Sequence, residues 1–324
     1  MTGSSTAVAH SNIALIKYWG KVDSRLAIPA TSSVSLTLDA YRTETTVEWG
    51  AEQDSVVLDG AVLSGVPADR VSRFLDLVRD LAGRSDHATV VSRNTVPTAA
   101  GLASSASGFA ALAAAATSAA GLTLAPRDLS ILARKGSGSA SRSVFGGLAV
   151  WYAGTDDLSS YAEPLVDPGL DLAMVVAVVN AGTKEISSRD AMRLTAETSP
   201  YYDAWVSASR SDFSSMLDAI GAGDFTRVGE LAESNAMRMH ASMLGSTPPV
   251  TYWEPDSVRC LRLVRELRSA GAECYATMDA GPNVKILCRR PDLATIRTAV
   301  EELGVAGVTT ALPGPGVRID RATA

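Results

Sequence analysis

The sequence predicts an α+β protein of two domains. A chain of 324 residues is long enough to bury two hydrophobic cores. Its first half begins with alternating polar and apolar segments, typical of strands, and continues with helices. Its second half follows the order strand, helix, strand, strand, helix, strand, which is typical of a ferredoxin-like domain, here with inserted helices. We place the boundary at the turn Asp167-Pro168-Gly169, so that the domains are residues 1–168 and 169–324.

Strand and helix signals are both clear in the N-terminal half. The periodicity of apolar residues predicts a helix over 68–81 that ends at Gly83. An alanine-rich helix should end at Gly121, and the next should begin with Pro126 and stop at Gly136. The predicted strands are residues 33–38, 43–49, 56–60, 87–92 and 148–152.

The C-terminal half begins with a continuous apolar run, residues 172–179, which predicts a strand buried on both faces. Helical segments fill about 190–243. The remaining predicted elements are a helix over 257–270, strands over 273–278 and 284–288, a helix over 291–303 and a strand over 305–310.

Composition argues against several classes of protein. The formal net charge of -6 does not suit a general nucleic-acid binder. The three cysteines form no CxxC pair, which favours a reducing compartment, and the three histidines show no metal-ligand spacing. Residues 1–12 lack the apolar core of a signal peptide, and the alanine-rich segment is too weakly hydrophobic to span a bilayer. We therefore expect a cytoplasmic protein with no nucleic-acid and no membrane partner.

The most informative stretch runs from Pro97 to Ser107, PTAAGLASSAS. Small residues lead into a helix whose first amides lack internal partners and lie at the positive end of its dipole. Such a helix start suits phosphate, although serine is also a favoured N-cap in any helix. A G-x-x-x-x-G-K-[ST] loop is missing, which excludes a P-loop, and the absence of G-x-G-x-x-G after a strand argues against a dinucleotide fold.

Three further clusters carry unusual residues. Residues 11–21, SNIALIKYWGK, bring lysines and a tyrosine that can bind phosphate oxygens, or they form a half-buried strand with surface lysines. Residues 136–143, GSGSASRS, form either a flexible loop or a wall that presents Arg142 to a carboxylate or phosphate. Residues 278–285, MDAGPNVK, place Asp279 at the end of a strand as a general base, a metal ligand or an ordinary turn residue.

Together these segments resemble the mevalonate diphosphate decarboxylases of the GHMP kinase superfamily. The resemblance runs from Ala9 to the strand at Leu287, and more weakly beyond. It includes three shorter matches as well, namely Ser187-Ser188-Arg189 with Met192, Arg238-Met239-His240, and Gly245-Ser246-Thr247-Pro248-Pro249.

The resemblance implies a GHMP kinase-like fold. Its N-terminal domain would bind ATP and resemble ribosomal protein S5 domain 2, and its ferredoxin-like C-terminal domain would bind substrate. The implied reaction is the ATP-dependent conversion of (R)-mevalonate 5-diphosphate to isopentenyl diphosphate, ADP, phosphate and CO2, in the mevalonate route of isoprenoid biosynthesis. Mg²⁺ is expected as the partner of ATP. A homodimer is expected by analogy with the family.

The resemblance also implies roles for individual residues. Asp279 orients the tertiary hydroxyl and helps to remove its proton, Arg142 holds the substrate carboxylate with Asn12 beside it, and Lys17 stabilises the transferring phosphoryl group. The implied substrate-binding residues are Tyr18, Trp19, Gly20, Lys21, Arg70, Ser137, Gly138, Ser139, Ala140, Ser141, Arg142, Ser188, Arg189, Met192 and Thr198. The implied ATP-binding residues are Asn94, Gly101, Leu102, Ala103, Ser104, Ser105 and Ser107. No protein ligand of Mg²⁺ is implied.

Two alternatives keep the fold and change the reaction: a decarboxylase of mevalonate 5-phosphate, and a small-molecule kinase similar to mevalonate 3-kinase. Tyr18, Lys21 and Arg189 together favour a diphosphate, because losing one phosphate would leave buried cations underpaired. The pair of Asp279 and Arg142 argues against a kinase that does not decarboxylate. A non-catalytic sensor on the same scaffold would not need the full set of acid, base and anion-binding groups.

Overall fold

The computed structural model describes residues 3–95, 104–180, 182 and 185–323. Gly101, Leu102 and Ala103 of the predicted ATP-binding run therefore lie outside the described residues. Ser104 is described only as the first residue of a helix.

The N-terminal half contains nine of the described strands and three of the α-helices. The strands are β1 (Ser4–Ile16), β2 (Lys21–Asp23), β3 (Ile28–Pro29), β4 (Ser33–Ala51), β5 (Ser55–Leu58), β6 (Ala61–Val62), β7 (His87–Asn94), β8 (Leu148–Trp151) and β9 (Ala162–Pro164). The helices are α1 (Val66–Ala82), α2 (Ser104–Ala119) and α3 (Pro126–Gly136), followed by a 3₁₀ helix, Gly138–Val144.

The C-terminal half contains the other described elements. They are β10 (Leu172–Val178), α4 (Ser188–Thr198), α5 (Tyr202–Gly221), α6 (Phe225–Leu244), α7 (Pro255–Ser269), β11 (Cys274–Met278), β12 (Val284–Arg289), α8 (Leu293–Glu302), β13 (Gly307–Ala311) and β14 (Arg318–Thr323).

The first sheet has the strand order β14-β1-β4-β7-β5-β6, with β8 and β9 branching from β4. Helix α2 lies against β1 and β4, and its alanines are almost completely buried because their small side chains allow close approach to the sheet. The predicted helix starts and stops are confirmed by Pro126 at the first turn of α3 and by Gly83, which ends α1 in the left-handed conformation.

One prediction in this half was wrong, and one open alternative is decided. Residues 33–38 and 43–49 are not two strands but parts of β4, which is long because its first part pairs with β8 and its last part with β7. Of the two alternatives for residues 136–143, the flexible loop is excluded, because residues 138–144 form a largely buried 3₁₀ helix. Its order comes from internal bonds such as that from Ser141 Oγ to the carbonyl of Gly138, 2.8 Å, and from packing against β1 and β8.

The second sheet has the order β11-β12-β10-β13, with every neighbouring pair antiparallel. This order confirms the ferredoxin-like prediction, with α4, α5 and α6 as the inserted helices. One face of the sheet packs against α7 and α8. The other face shares a core with α5, α6, β1 and β4, so this sheet is covered on both sides.

Strand β14 returns to the first sheet, where it pairs with the outer edge of β1. The sequence did not predict this strand, because its charged residues Arg318, Asp320 and Arg321 show no apolar alternation. The boundary between residues 168 and 169 stays a prediction, and the end of the chain adds a strand to the first sheet.

Candidate active site

Three segments that are distant in sequence meet between the two sheets. Strand β1 ends at Ile16 and delivers Lys17, the turn after β11 delivers Asp279, and the 3₁₀ helix delivers Arg142. The site therefore depends on both domains, since its carboxylate comes from one and most of its cations come from the other.

Asp279 lies between two lysines. Lys17 Nζ donates to Asp279 Oδ1 at 2.8 Å, and Lys285 Nζ lies 3.4 Å from Oδ2. The lysine side chains are 2% and 0% exposed, whereas that of Asp279 is 27% exposed and can be reached by a substrate. Burial alone would raise the pKa of Asp279, but the charges and hydrogen bonds of both lysines outweigh burial and hold this pKa well below its usual value. Asp279 is therefore ionised at neutral pH.

Lys17 is held by the inserted helices. Its backbone N–H donates to Asn235 Oδ1 at 2.8 Å, and its ammonium also donates to the carbonyl of Ala14 at 2.8 Å. Asn235 Nδ2 donates in turn to Asp212 Oδ2 at 3.0 Å, which joins α6 to α5. Burial lowers the pKa of Lys17, and the charge of Asp279 opposes that effect.

Arg142 is 2% exposed, and it is fixed by polar side chains rather than by a carboxylate. Its Nε and Nη2 each lie 3.3 Å from Asn12 Oδ1, and its Nη1 donates to Ser33 Oγ. Asn12 Nδ2 donates to Ser143 Oγ at 2.8 Å and to the carbonyl of Ser139 at 3.0 Å. Burial lowers the pKa of Arg142 to about 10, so it is still a cation at neutral pH. Within the described part of the chain it forms no ion pair, so its charge is available to an anionic ligand.

A second group of cations surrounds Tyr18. The pKa of Lys21 is lowered mainly by burial and also by the charges of Arg189 and Arg70. The pKa of Arg70 is lowered to about 10, mainly by burial and also by the charge of Arg189. Burial raises the pKa of Tyr18, while Arg142, Arg189 and Arg70 oppose that change. Among the described residues, Lys21, Arg70 and Arg189 form no ion pair with a carboxylate. Like charges so close together favour an anion with several negative charges.

Small residues shape the wall beside this cation group. Gly20 has a φ of 107°, and a Cβ there would collide with the hydroxyl of Tyr202. A Cβ on Gly138 would lie 2.8 Å from the Trp151 ring and 2.9 Å from the Tyr18 ring. These glycines therefore let the backbone approach the aromatic side chains of the site.

The other predicted substrate-binding residues have varied surroundings. Trp19 and Ala191 belong to an apolar cluster against which Met192 packs, and Ser188 begins α4. The hydroxyl of Thr198 donates to the carbonyl of Leu194 at 2.7 Å and accepts from the N–H of Thr247 at 2.9 Å. These bonds tie Thr198 to the turn after α6 and not to the cation group, and its predicted role stays a prediction.

A mostly apolar groove lies beside the N-terminus of α2. Its lining residues are Thr43, Val56, Leu58, Leu63, Pro67, Arg70, Val71, Val90, Ser92, Asn94, Ser105, Gly108, Phe109 and Leu112. Arg70 belongs both to this groove and to the cation group, and Ser137 Oγ donates to Ser105 Oγ at 3.3 Å. The groove and the substrate wall are therefore adjacent.

Two of the predicted ATP-binding residues are fixed by hydrogen bonds. Asn94 donates through its backbone N–H and its Nδ2 to the carboxylate of Asp59, at 2.7 and 3.1 Å, and its Oδ1 accepts from Thr43. Ser107 is 1% exposed, and its hydroxyl contacts Thr43 at 2.7 Å and Ser11 at 3.2 Å. The side chain of Ser107 therefore ties α2 to the sheet, while Asn94 and Ser105 face the groove.

The described residues hold no group of three or more His, Cys, Asp or Glu side chains that could bind a metal ion. No helix within the described ranges is both long and apolar enough to cross a membrane. The site is thus rich in cations, and its central carboxylate is already occupied by two lysines.

Comparisons with known proteins match the chain over both domains. A family model described as "Diphosphomevalonate decarboxylase-like N-terminal domain" matches residues 9–162, and one described as "Mevalonate 5-diphosphate decarboxylase C-terminal domain" matches residues 174–309. The diphosphomevalonate decarboxylase of Aspergillus fumigatus is 34% identical, with 96% of this chain and 81% of the relative covered. The chain belongs to the diphosphomevalonate decarboxylase family. The resemblance stated from the motifs is confirmed.

Solved structures of the diphosphomevalonate decarboxylase family superpose closely. The crystal structure of the Staphylococcus aureus enzyme has a TM-score of 0.96 at 45% identity and covers 99% of each chain. A complex of MDDEF with MVAPP, AMPPCP and magnesium has a TM-score of 0.94 at 46% identity and covers 98% of this chain and 99% of that chain. A further relative, the phosphomevalonate decarboxylase of Haloferax volcanii, is 32% identical over 99% of both chains. The GHMP kinase-like fold implied by the resemblance is confirmed.

Sequence reasoning missed three buried polar residues of this decarboxylase site. Lys285 was part of the quoted MDAGPNVK motif but received no role, and His240 and Asn235 received none either. All three are at most 2% exposed. A polar residue on the apolar face of a helix was the signal that could have found Asn235 and His240, which both lie on α6.

Acidification is expected to destabilise the protein through His240. Burial and the charge of Lys17 lower the pKa of His240 to about 4, and Trp253 Nε1 donates to its Nδ1 at 3.1 Å. Between pH 6.5 and 4 the unfolded chain binds a proton at His240 that the folded chain does not bind. The contribution of neutral His240 to the free energy of unfolding is therefore fully present above pH 6.5 and is lost as the pH falls. This linkage lowers the free energy of unfolding by about 2 kcal/mol between pH 7 and 5.

Urea unfolding at pH 7 and pH 5 measures this effect. His240→Gln should flatten the pH dependence of the free energy of unfolding. An equally steep pH dependence in the parent and in His240→Gln would contradict the assignment.

Proposed function

We propose that this protein catalyses the ATP-dependent decarboxylation of mevalonate 5-diphosphate. The observation that carries the proposal is the Asp279 carboxylate, ionised between two lysines and close to Arg142, which has no carboxylate partner among the described residues. Beside it lie cations for a diphosphate and a groove for a nucleotide. The relatives carry this activity in their names, and one was solved with MVAPP, an ATP analogue and magnesium.

ATP fits the groove at α2. Its apolar lining suits a nucleobase, and the first amides of α2 face its phosphates with the positive end of the helix dipole. Ser105 is exposed at that helix start, and Asn94 is held in place by Asp59. When Mg²⁺ is bound, it neutralises phosphate charge. The described residues form no carboxylate cage for it, which suits an ion held mainly by ATP oxygens.

Asp279 prepares the substrate hydroxyl for phosphorylation. An ionised carboxylate accepts a hydrogen bond from the tertiary alcohol and orients its oxygen toward the γ-phosphate of ATP. The low pKa of Asp279 makes it a weak base, so the proton moves late, once transfer of the phosphoryl group has made the hydroxyl acidic. Lys17, 2.8 Å from Asp279, is placed to stabilise the transferring charge.

Phosphorylation turns the hydroxyl into a good leaving group. As phosphate departs, positive charge develops on the tertiary carbon, and the adjacent carboxylate leaves as CO2 while its bonding electrons form the new double bond. Arg142 holds that carboxylate with its guanidinium fork, which Asn12 and Ser33 keep in one orientation. The products are isopentenyl diphosphate, ADP, phosphate and CO2.

The product places the enzyme in isoprenoid biosynthesis through the mevalonate route, which the names of its relatives support. A cytoplasmic location is supported by the unpaired cysteines, which suit a reducing compartment. The homodimer rests on family analogy, and the absence of a nucleic-acid partner rests on the net charge of -6.

A second candidate substrate is mevalonate 5-phosphate. It is favoured by the relative from Haloferax volcanii, which is named phosphomevalonate decarboxylase. The cation group of Lys21, Arg70 and Arg189 favours the diphosphate instead, because a monophosphate would leave part of this positive charge without a partner.

The rate of CO2 release from mevalonate 5-diphosphate and from mevalonate 5-phosphate decides between the two substrates. With ATP and Mg²⁺, kcat/KM should be about 100-fold or more higher for the diphosphate, since one lost charge-assisted contact costs a few kcal/mol. Replacing Lys21 by Met should reduce that preference and leave ATP binding unchanged. Comparable kcat/KM values for both substrates would contradict the diphosphate assignment.

A further inference from the structure

Lys285 is a fully buried cation that contacts Asp279 and has no step of its own in the proposed reaction. It is the second residue of β12, its side chain is 0% exposed, and its Nζ lies 3.4 Å from Asp279 Oδ2 and 3.2 Å from the carbonyl of Asn283. A buried ammonium is costly unless it is paired. Within the described part of the chain Asp279 is its ion-pair partner.

The two lysines at Asp279 are held differently. Strand β12 is bonded to β11 on one side and to β10 on the other, so Lys285 extends from the middle of a sheet. Lys17 lies just beyond the end of β1, where the chain leaves the other sheet. Asp279 itself belongs to the turn between β11 and β12, so Lys285 joins that turn to its own sheet.

Asp279 loses the interactions with two of its three neighbouring cations during the proposed reaction. In the resting site one carboxylate faces Lys17, Lys285 and Arg142. In the proposed reaction the substrate carboxylate binds Arg142, and the transferring phosphoryl group interacts with Lys17. Lys285 is then the cation that stays with Asp279, and it is out of reach of solvent.

We propose that Lys285 is a positioning residue that holds the Asp279 carboxylate ionised and aligned while Lys17 interacts with the phosphoryl group. This role rests on the proposed function. It predicts that Lys285 acts on turnover and on the titration of Asp279, with little effect on the affinity for substrate or ATP.

The other groups that face Asp279 cannot replace Lys285. Lys17 comes from β1, Arg142 from the 3₁₀ helix and His240 from α6. His240 is neutral above about pH 4, and Arg142 is turned toward Asn12. Without Lys285, Asp279 Oδ2 loses its ion-pair partner, and Lys17 is left to oppose the effect of burial, which raises the pKa of the carboxyl group.

Two variants separate charge from packing. Lys285→Met removes both the charge and the donor, and Lys285→Gln keeps a donor of similar size without the charge. Lys135→Met is the matched control. Lys135 lies on α3, pairs with Asp157 Oδ2 at 2.7 Å and takes no part in the site. Both Lys285 variants should lower kcat by roughly 10–100-fold with KM values within about threefold of the parent, while Lys135→Met keeps the parent kcat.

The titration of Asp279 gives a readout that does not require activity. Carbon NMR of protein with labelled aspartates follows its carboxyl signal, assigned by the signal missing from Asp279→Asn. Asp279 should titrate at a higher pH in Lys285→Gln and Lys285→Met than in the parent, and Lys285→Arg should restore both the titration and part of the turnover.

A folded Lys285→Gln with the kcat and the Asp279 titration of the parent overturns the proposal, whether or not Lys285→Met folds. A parent protein that releases no CO2 would count against the proposed function instead. In that case the titration still tests the pairing of Lys285 with Asp279.

Discussion

Replacing Asp279 by asparagine is expected to lower turnover by roughly 10³–10⁴-fold and to leave ATP affinity nearly unchanged. Asparagine keeps the size of the side chain but cannot accept the proton of the tertiary hydroxyl. It also leaves Lys17 and Lys285, at 2.8 and 3.4 Å, without their counter-ion. The nucleotide groove is built from β4, β5, β7, α1 and α2, away from the turn that carries Asp279.

Steady-state turnover and ATP titration of the same sample measure both effects. Asp54→Asn is the matched control, since the Asp54 side chain is 9% exposed, pairs with Arg79 and lies in the turn between β4 and β5, outside the candidate site. It should lose stability and keep its turnover. Turnover within about threefold of the parent in Asp279→Asn would make Asp279 an ordinary turn residue.

Replacing Arg142 by glutamine is expected to lower kcat/KM for mevalonate 5-diphosphate by about 100–1000-fold. The substrate carboxylate would lose a charged, bidentate hydrogen-bond donor in a buried site. The hydroxyl of Ser33 and the amide oxygen of Asn12 would also lose their partner, so the wall of the pocket would be less ordered.

Arg142→Lys separates charge from geometry. Lysine keeps the positive charge and lacks the planar fork, so its kcat/KM should fall between those of Arg142→Gln and the parent. Initial rates of ADP and CO2 formation over a range of substrate concentrations measure the effect. Equal kcat/KM in the parent and in Arg142→Gln would show that the substrate carboxylate binds elsewhere.

Local signals were enough to predict most of the fold. Helix α3 begins with Pro126, and α1 ends at Gly83 in the left-handed conformation, as their sequence signals require. Strand β14 has no such signal, because it pairs with β1 through backbone bonds at the other end of the chain. The 3₁₀ helix was also missed, since its glycines and serines are ordered by packing against distant segments.

The buried polar residues of the site show a different limit. In β12, Lys285 alternates with Val284 and Ile286, which in an antiparallel strand normally indicates a solvent-facing position. Here both faces of the sheet are covered, so Lys285 faces Asp279 instead of water. The β11–β12 hairpin brings Lys285 close to Asp279, and the covering of both faces of the sheet keeps that lysine away from solvent.

The most direct test of the account is a joint measurement of ADP and CO2 from one reaction. The purified protein receives ATP, Mg²⁺ and mevalonate 5-diphosphate labelled with ¹⁴C at its carboxyl carbon, and both products are measured over time. Equal amounts of ADP and labelled CO2 from the earliest time points are predicted, because phosphorylation at Asp279 and loss of the carboxylate from Arg142 serve the same turnover. ADP formation without labelled CO2 would contradict the account and identify a kinase.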